Sequence, residues 1–373
     1  MPTAPQAPRP RTTTRDPAEL QRRLAAWVAD WLPGATVGGL TVPPSNGMSS
    51  ETVLFDLRRP DGTVQPCVLR LAADTNAYAV FPHYDMERQY RAIQLVAERT
   101  KVPVPRLLRL ETDPAPLGAA GFVMERLEGR VPPDVMPYTY GGNWLFDATG
   151  AERARLEQAT LEVLAGLHAV PAEQAAFLAP PGSPGPGSFR SPLRRHVDQQ
   201  RDYYAWVVRG RPRSPLIERA FARLEQLWPQ DAGPTVLSWG DARVNNVIYR
   251  DFAPAALLDW EMAGLGPREI DIAWLVGGHR VFQDIAGLFG SPGMPHFLRL
   301  EDVVAQYEAA TGHPVRDIDF YLTYTAIQWA IVFVIVGLRR VRFGEQPMPG
   351  DVHDLIINRG PLEQMLAGGP NTT

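Results

Sequence analysis

The sequence predicts an α+β protein with two lobes, a small β-rich N-lobe and a larger, mainly helical C-lobe. With 373 residues the chain is long for one hydrophobic core and suits two. Strand-like runs are concentrated before residue 128, and most later segments have helical spacing. We therefore expect a flexible tail over residues 1–15, an N-lobe over 16–127 and a helical C-lobe over 128–373.

The predicted N-lobe has the order helix, hairpin, helix, strand, strand. Residues 16–32 have the apolar spacing of an amphipathic helix, which Pro33 and Gly34 end. Two strand-like runs, 52–57 and 66–72, are joined by Arg-Pro-Asp-Gly at 59–62, and this turn chemistry predicts a hairpin. A helix over 84–99 and extended runs after Val102 and over 121–129 follow.

The predicted C-lobe is built from helices around one polar loop. Helical spacing covers residues 151–170, 196–208, 216–228, 271–279, 301–311 and 319–340. Residues 179–192 are rich in Pro, Gly and Ser and predict a loop. The most apolar run, 326–338, is too short to span a bilayer, so we expect a buried helix and no membrane partner.

Composition excludes several classes of function. A net charge of -4 implies no strong positive potential that would attract nucleic acid, so no nucleic-acid partner is expected. Cys67 is the only cysteine, which rules out an intrachain disulfide and fits a reducing cytoplasm. The N-terminus has no apolar stretch typical of a signal peptide, so we expect a cytoplasmic protein. Lys101 is the only lysine, so any other phosphate-binding cation must be Arg. Oligomeric state cannot be read from the sequence.

The strongest chemical signal lies in residues 238–246, which read SWGDARVNN, and 257–261, which read LLDWE. Asp241 and Asn246 are five residues apart, and Asp259 follows Asp241 by eighteen, behind an apolar run. This is the spacing of a kinase catalytic loop followed by a metal-binding strand end. We predict that Asp241 orients and deprotonates an acceptor hydroxyl, and that Asn246 and Asp259 hold Mg²⁺ against the phosphates of ATP. Taken singly, Asp241 could form a turn and Asn246 could cap a loop.

The N-lobe sheet and helix are predicted to cover the nucleotide. A small polar loop before the hairpin can bring backbone N–H groups close to phosphate oxygens, although a plain turn is the alternative. Its candidate residues are Ser45, Asn46, Gly47, Ser49 and Ser50.

Two charged residues and one extended segment complete the predicted nucleotide site. Arg70 stands at the strand end where a kinase places its phosphate-contacting lysine, and Glu87 could orient it. Either residue could instead be a solvated surface group. Adenine needs backbone hydrogen-bonding groups on an extended segment, for which Met124, Glu125 and Leu127 are the candidates.

For the acceptor pocket we propose one carboxylate and two aromatic side chains, namely Glu261, Trp274 and Tyr203. Asp271 starts a predicted helix behind the metal loop. We expect it to tie down the backbone of the catalytic loop rather than to take part in the chemistry.

The motif resembles that of the aminoglycoside phosphotransferase-like family, whose members carry HGDxxxxN followed by a DWE segment. Here residues 239–246 read WGDARVNN and 258–261 read LDWE. The runs SSETVLFD at 49–56 and VPVPRLL at 102–108 are similar to an actinobacterial branch of that family. The resemblance covers about residues 32–338 and implies a protein-kinase-like fold, ATP, Mg²⁺ and a small-molecule hydroxyl acceptor. Trp239 stands where the family has His, and Arg70 where it has Lys.

The predicted function is therefore an ATP-dependent small-molecule O-phosphotransferase. A protein kinase is the nearest alternative, but eleven residues between Asp259 and Asp271 are too few for a peptide-docking segment. A catalytically impaired nucleotide-binding regulatory module and a metal-dependent phosphoester hydrolase also remain open. The acceptor could be an aminoglycoside, a sugar, a hydroxylated metabolite or a hydroxy-acyl compound. The sequence does not decide between ATP and GTP.

Overall fold

The computed structural model describes residues 15–43, 50–73, 79–179 and 191–368. Within these ranges the helices and strands are, in chain order, α1 (Pro17–Trp31), β1 (Thr36–Thr41), β2 (Ser50–Arg58), β3 (Val64–Ala72), α2 (Met86–Arg99), β4 (Leu107–Glu111), α3 (Pro114–Leu117), β5 (Gly121–Glu125), α4 (Gly150–His168), α5 (Pro192–Val207), α6 (Pro215–Gln226), β6 (Thr235–Ser238), β7 (Val247–Arg250), β8 (Ala253–Leu257), β9 (Gly264–Pro267), α7 (Glu269–Leu288), α8 (Leu300–Thr311), α9 (Ile318–Arg342) and α10 (Arg359–Leu366).

The chain forms two compact units. Unit 1 consists of Met1–Glu87, Leu108–Arg126 and Val334–Gly350, and unit 2 consists of Arg88–Leu107, Leu127–Phe333 and Asp351–Thr373. Unit 1 contains a five-stranded sheet, and unit 2 is mostly helical with two short two-stranded ladders. This composition confirms the predicted α+β class.

Unit 1 is built on a sheet with the strand order β1-β2-β3-β5-β4. The predicted hairpin is confirmed, because β2 and β3 pair antiparallel from Ser50↔Ala72 to Arg58↔Val64. Its turn uses the chemistry that the sequence indicated. The Asp61 carboxylate accepts the Thr63 N–H at 2.9 Å, and Gly62 adopts a φ of 86°.

One face of this sheet packs against α1. Alternate β2 residues (Val53, Phe55 and Leu57) are buried, as the period of two along a strand requires. They join Leu24 and Val28 of α1 in one apolar cluster. The helix begins after Asp16, whose side chain caps the free N–H of Ala18. The first predicted helix is thereby confirmed.

In unit 2 the predicted helices are all present, but α7 is longer than predicted. It runs over Glu269–Leu288 rather than ending at His279. The glycines at 277 and 278 weaken the helical signal in the sequence. Nearly every α7 residue up to Phe282 is buried, so tertiary packing offsets the low propensity of Gly277 and Gly278.

The helix α9 contains the most apolar run of the chain. By length and composition alone it is the one helix in the described ranges that could cross a membrane, and 78% of its most apolar window is buried inside the protein. Residues Ile327, Ala330 and Ile331 are fully buried. The predicted buried helix over 326–338 is therefore confirmed.

Candidate active site

The catalytic-loop residues lie between two short antiparallel ladders of unit 2. β6 leads into the loop and pairs with β9, with Ser238 opposite Gly264. After a short 3₁₀ turn at Val244–Asn246 the chain enters β7, which pairs with β8. Both ends of the loop are thus held by backbone hydrogen bonds, and this fixes the side chains between them.

The turn before Asp241 requires glycine. Gly240 has a φ of 85°, and a Cβ added there would lie 2.1 Å from the Met262 carbonyl oxygen. The neighbouring Trp239 is 2% exposed, and its indole N–H donates to the Leu258 carbonyl at 2.9 Å. Trp239 therefore braces the loop by packing and by one hydrogen bond.

The buried Asp271 holds the loop backbone. Its carboxylate accepts hydrogen bonds from the Trp239 and Gly240 amides and from the Ser238 hydroxyl, each at 2.8 Å. His168 Nε2 donates a fourth at 2.9 Å. The Asp271 side chain is fully buried, so these four donors replace the hydrogen bonds that water would give to its carboxylate. The predicted structural role of Asp271 is confirmed.

Asp241 is buried, and both of its carboxylate oxygens are fully engaged. Oδ1 accepts from Arg243 Nε at 2.7 Å and from Trp274 Nε1 at 2.6 Å. Oδ2 accepts from Arg243 Nη2 at 3.0 Å and from Asn246 Nδ2 at 2.7 Å. Burial by itself would raise the pKa of Asp241, but the Arg243 guanidinium and the donated hydrogen bonds outweigh it and hold this pKa below its usual range. Asp241 is therefore an ionised carboxylate.

Asn246 and Asp259 are brought together by the β7–β8 ladder. Val247 pairs with Leu257, and the Leu258 amide donates to the Asn246 carbonyl at 2.8 Å. Asp259, the next residue, has a φ of 60°, so the chain bends directly after the strand. The Asp259 charge also contributes, after Asp241 and Asp134, to the raised pKa of Arg243. The side-chain nitrogen of Asn246 donates to Asp241. The metal-ligand roles of Asn246 and Asp259 stay predictions.

The three candidates for the acceptor pocket have different surroundings. Trp274 lies on α7, contacts Asp241 directly and stacks on Trp329 with ring centroids 5.6 Å apart. Glu261 is half-buried two residues after Asp259. Tyr203 lies on α5 and stacks on Trp206 at 5.9 Å. Of the three, the structure connects Trp274 to the Asp241 carboxylate, and the pocket assignment of all three stays a prediction.

The predicted nucleotide residues fall in several places. Ser45, Asn46, Gly47 and Ser49 lie outside the described residues. Ser50 begins β2 and is buried, and Arg70 on β3 donates to the Thr52 hydroxyl at 3.0 Å. Glu87 lies in the first turn of α2. Met124 and Glu125 end β5 opposite Val68 and Cys67, and Leu127 is the first residue of the middle segment of unit 2. Their nucleotide roles stay predictions.

The sequence reasoning missed Arg243. It stands inside the motif, two residues after Asp241, and its side chain is 14% exposed. Its guanidinium bonds both Asp241 oxygens and also reaches Asp134 at 3.1 Å. Burial disfavours the Arg243 charge, but Asp241 and Asp134 raise its pKa above the usual value. One feature of the sequence could have identified Arg243. Because Lys101 is the only lysine, a cation at this site has to be an arginine.

An α+β fold in which the buried Asp241 carboxylate accepts a hydrogen bond from Asn246 agrees with the predicted class of enzyme, a phosphotransferase. The profile of the phosphotransferase enzyme family matches residues 41–314, which is most of the chain. The protein therefore belongs to the phosphotransferase enzyme family, and the family recognised from the motif is confirmed. Its placement in an actinobacterial branch stays a prediction.

Solved structures with the same fold include antibiotic phosphotransferases. A Ralstonia eutropha protein assigned to the aminoglycoside phosphotransferases is 25% identical, with a TM-score of 0.65 over 92% of this chain and 96% of that one. Macrolide 2'-phosphotransferase type I is 20% identical, with a TM-score of 0.57 over 88% and 98%. A mutant of aminoglycoside phosphotransferase APH(4)-Ia, in complex with ADP and hygromycin B, is 16% identical, with a TM-score of 0.54 over 94% and 99%. The likeness confirms the predicted kinase-like fold.

Curated relatives include two much larger proteins. The chain is 26% identical over 269 residues to probable acyl-CoA dehydrogenase IBR3 of Arabidopsis thaliana, which is 68% of this chain and 31% of that protein. It is 24% identical over 192 residues to human acyl-CoA dehydrogenase family member 11, which is 51% of this chain and 22% of that protein. The chain thus matches less than a third of either relative.

Proposed function

We propose that this protein transfers the γ-phosphate of ATP to a hydroxyl group of a small molecule. In this proposal Asp241 is the catalytic base, and Asn246 and Asp259 hold Mg²⁺. The observation that carries it is the arrangement around Asp241. A buried, ionised carboxylate is hydrogen-bonded to Asn246, and the backbone of Asn246 is bonded to the residue before Asp259. Family membership and the ADP-bound relative support the choice of nucleotide.

The donor set suits Mg²⁺. One neutral amide oxygen and one carboxylate are hard oxygen ligands, and Mg²⁺ in kinases takes few protein ligands because phosphates and water fill the other positions. Among the described residues no group of three or more His, Cys, Asp or Glu could hold a metal ion by itself. With one amide and one carboxylate, Asn246 and Asp259 fit a cation that arrives with a nucleotide. When bound, Mg²⁺ would neutralise charge on the phosphate oxygens.

The protein's own part in the reaction is to position groups and accept a proton. Asp241 orients the acceptor hydroxyl towards the γ-phosphorus. As the acceptor oxygen forms its bond to phosphorus, the bond from phosphorus to the β–γ bridging oxygen breaks and ADP leaves. The hydroxyl proton passes to the Asp241 carboxylate. Asp271 keeps Asp241 in place through the backbone of Trp239 and Gly240.

The acceptor is proposed only as a class, a small molecule with a hydroxyl group. The relatives named for macrolides and aminoglycosides support antibiotics as candidates. The relatives named as acyl-CoA dehydrogenases support testing hydroxy-acyl compounds beside them. Sugars and hydroxy acids complete the set to be screened.

The test is a screen for ADP formation from MgATP over these four compound classes, using wild type and Asp241→Asn. We expect at least one compound to stimulate ADP formation in the wild type. For Asp241→Asn we expect a rate lower by about 10²–10⁴-fold, the usual contribution of a general base, with ATP affinity within a few-fold. Asp251→Asn, an isosteric change in the exposed turn between β7 and β8, is the matched control and should keep full activity.

Other outcomes would favour the alternatives. A wild type that binds MgATP but neither hydrolyses nor transfers its phosphate would indicate a regulatory module. Phosphoester turnover without nucleotide would indicate a metal-dependent hydrolase. Full activity of Asp241→Asn would remove Asp241 from the mechanism.

A further inference from the structure

We propose that the hydroxyl acceptor has a long apolar body, which lies along five exposed hydrophobic side chains of unit 2. We call these side chains the apolar strip; they are Val131, Val135, Met136, Leu288 and Phe289. This proposal rests on the proposed function, to which it adds the chemical class of the acceptor and the surface that selects it.

The first part of the strip belongs to a segment, residues 130–137, that is bonded to the catalytic loop. Arg130 exchanges two backbone hydrogen bonds with Tyr249 of β7, each 2.9 Å long. The side-chain amide of Asn245 donates to the carbonyl oxygens of Pro132 and Pro133 at 3.1 and 2.9 Å. Both ends of the stretch 130–133 are therefore fixed to the part of the chain that carries the proposed base.

One ion pair separates this segment from the proposed base. Arg243 Nη1 donates to Asp134 at 3.1 Å, and the same guanidinium donates to Asp241 through Nε at 2.7 Å. Val135 and Met136 follow Asp134 directly in the chain. A molecule whose hydroxyl reaches Asp241 therefore has these two side chains beside the rest of its body.

Exposed hydrophobic side chains are concentrated around this segment. Among the described residues ten large hydrophobic side chains are exposed, and half of them form the apolar strip. Phe289 is 68% exposed, and its ring packs edge-on against Tyr140, just after the segment, with centroids 5.8 Å apart. Single exposed hydrophobic residues need no explanation, whereas a group of them beside a candidate active site marks a ligand-binding surface.

The second part of the strip lies at the end of α7, which passes Arg243 at Gly278. A Cβ on Gly278 would lie 3.4 Å from Cγ and Cδ of Arg243, so the helix and the arginine stem lie side by side there. Leu288 follows Gly278 by ten residues, which is about 15 Å along the helix. Between them the Thr139 hydroxyl donates to the Phe282 carbonyl at 2.8 Å and keeps the chain after the segment on α7. An elongated body fits this length better than a compact one.

Met136 is held exposed under backbone strain. Its φ is 40°, in the left-handed region that residues other than glycine seldom adopt. The Tyr138 N–H donates to the Pro133 carbonyl at 3.0 Å and closes the turn that contains Met136. Strained residues cluster at ligand sites, and the flexible thioether of methionine adapts to apolar ligands of different shape.

The strip carries little charge that would attract a cationic acceptor. Residues 130–146 contain one acidic residue, Asp134, which is paired with Arg243, and residues 285–293 contain none. A polycation is held by a surface of negative potential, whereas an uncharged apolar body is held by the area that it removes from water. Hydroxylated compounds with a hydrocarbon chain are therefore the acceptors that this surface favours.

The experiment measures kcat/KM for ADP formation from MgATP with straight-chain primary alcohols of increasing length. Glycerol and glucose serve as polar acceptors for comparison. In the wild type we expect each added methylene to raise kcat/KM by up to about fourfold until the strip is covered, the value of a buried CH₂ group. The polar acceptors should be poorer than the longest alcohols by at least about 10²-fold.

Met136→Ser and Phe289→Ser each remove one exposed hydrophobic side chain of the strip. Both variants should flatten the dependence on chain length and lower kcat/KM for the longest alcohol by about fivefold or more. The KM for MgATP should stay within about twofold of the wild type, because neither change touches the proposed nucleotide residues. Met348→Ser is the matched control, since Met348 is also an exposed methionine, 54% against 51% for Met136, and lies in unit 1. It should keep the wild-type dependence on chain length.

Equal kcat/KM along the alcohol series, or a preference for glycerol or glucose, would overturn the proposal and leave the proposed function standing. The same holds if Met136→Ser and Phe289→Ser both behave like Met348→Ser. A wild-type dimer in sedimentation that Phe289→Ser dissociates, with an unchanged dependence on chain length, would assign the strip to a second copy of this chain and overturn the proposal as well. No ADP formation with any compound of this set or of the earlier screen would overturn the proposed function, and this proposal with it. If one of the two variants does not fold, the other decides by the same comparison.

Discussion

Asp271→Asn is expected to destabilise unit 2 severely and to misplace Asp241. The wild-type carboxylate accepts from Ser238 and Gly240 through one oxygen, and from Trp239 and His168 through the other. An Asn side chain has one oxygen and one NH₂ group. In either orientation of the amide, one backbone N–H loses its acceptor and faces an N–H donor, and its neighbour, the Ser238 hydroxyl or the His168 ring, must change from donor to acceptor.

The size of the effect follows from the bonds lost. Hydrogen bonds to a charged acceptor contribute about 1.5–3 kcal/mol each and neutral ones about 0.5–1.5 kcal/mol. The loss of one bond and the weakening of the other three therefore predict destabilisation by about 3–6 kcal/mol. A typical domain has a total stability of about 5–15 kcal/mol. The variant should therefore lie near the limit of folding. Because Asp271 holds the backbone on both sides of the turn at Gly240, the remaining folded fraction should also lose activity.

Urea unfolding followed by tryptophan fluorescence measures the first effect, and ADP formation from MgATP measures the second. Ser238→Ala is the matched control, because it removes one donor and leaves Asp271 with three. By the same value it should lower the free energy of unfolding by about 1.5–3 kcal/mol, less than Asp271→Asn does. A free energy of unfolding for Asp271→Asn within about 1 kcal/mol of the wild type would refute the reasoning.

Three further predictions concern His279, Gly240 and Arg70. Burial lowers the pKa of His279 to about 4. Between about pH 6.5 and 4 the unfolded chain therefore binds more protons than the folded one. The free energy of unfolding should fall by up to about 3 kcal/mol as the pH falls through this range. His279→Gln should flatten this pH dependence in urea titrations, and equal slopes would contradict the assignment. Gly240→Ala should lower stability by at least about 2 kcal/mol, since Ala at positive φ also meets the Met262 carbonyl, and unchanged thermal unfolding would contradict this. Arg70→Ala should mainly weaken nucleotide binding in calorimetry, and unchanged ATP affinity would contradict its assignment.

Local chemistry explains why much of the fold was predictable. The hairpin β2–β3 follows from Asp61 and Gly62 between two strands of alternating burial, and α1 follows from its apolar spacing after Asp16. Each signal is contained within about twenty residues. β1 escaped prediction because Gly38 and Gly39 interrupt a short run that is mostly exposed or half-buried, so no alternation is visible in the sequence.

The candidate site was predictable only for residues that lie close together in the sequence. Asp241, Asn246 and Asp259 stand within one stretch whose spacing is set by a loop and a strand pair. By contrast, the hydrogen bond from His168 to Asp271 joins residues 103 positions apart. No local pattern encodes such a contact, because it joins the last residue of α4 to the first turn of α7. Arg243 was missed for another reason. Its contact with Asp241 depends on the orientation of its side chain, which its place in the motif does not show.

The most direct test of the central claim is an experimental structure with Mg²⁺ and a non-hydrolysable ATP analogue. We predict one Mg²⁺ bound to the nucleotide phosphates, with an Asn246 oxygen and an Asp259 carboxylate oxygen about 2.1 Å from it. Asp241 should lie beside the γ-phosphate and outside the metal coordination shell. A metal ligated by other side chains, or a nucleotide whose γ-phosphate is remote from Asp241, would contradict the account.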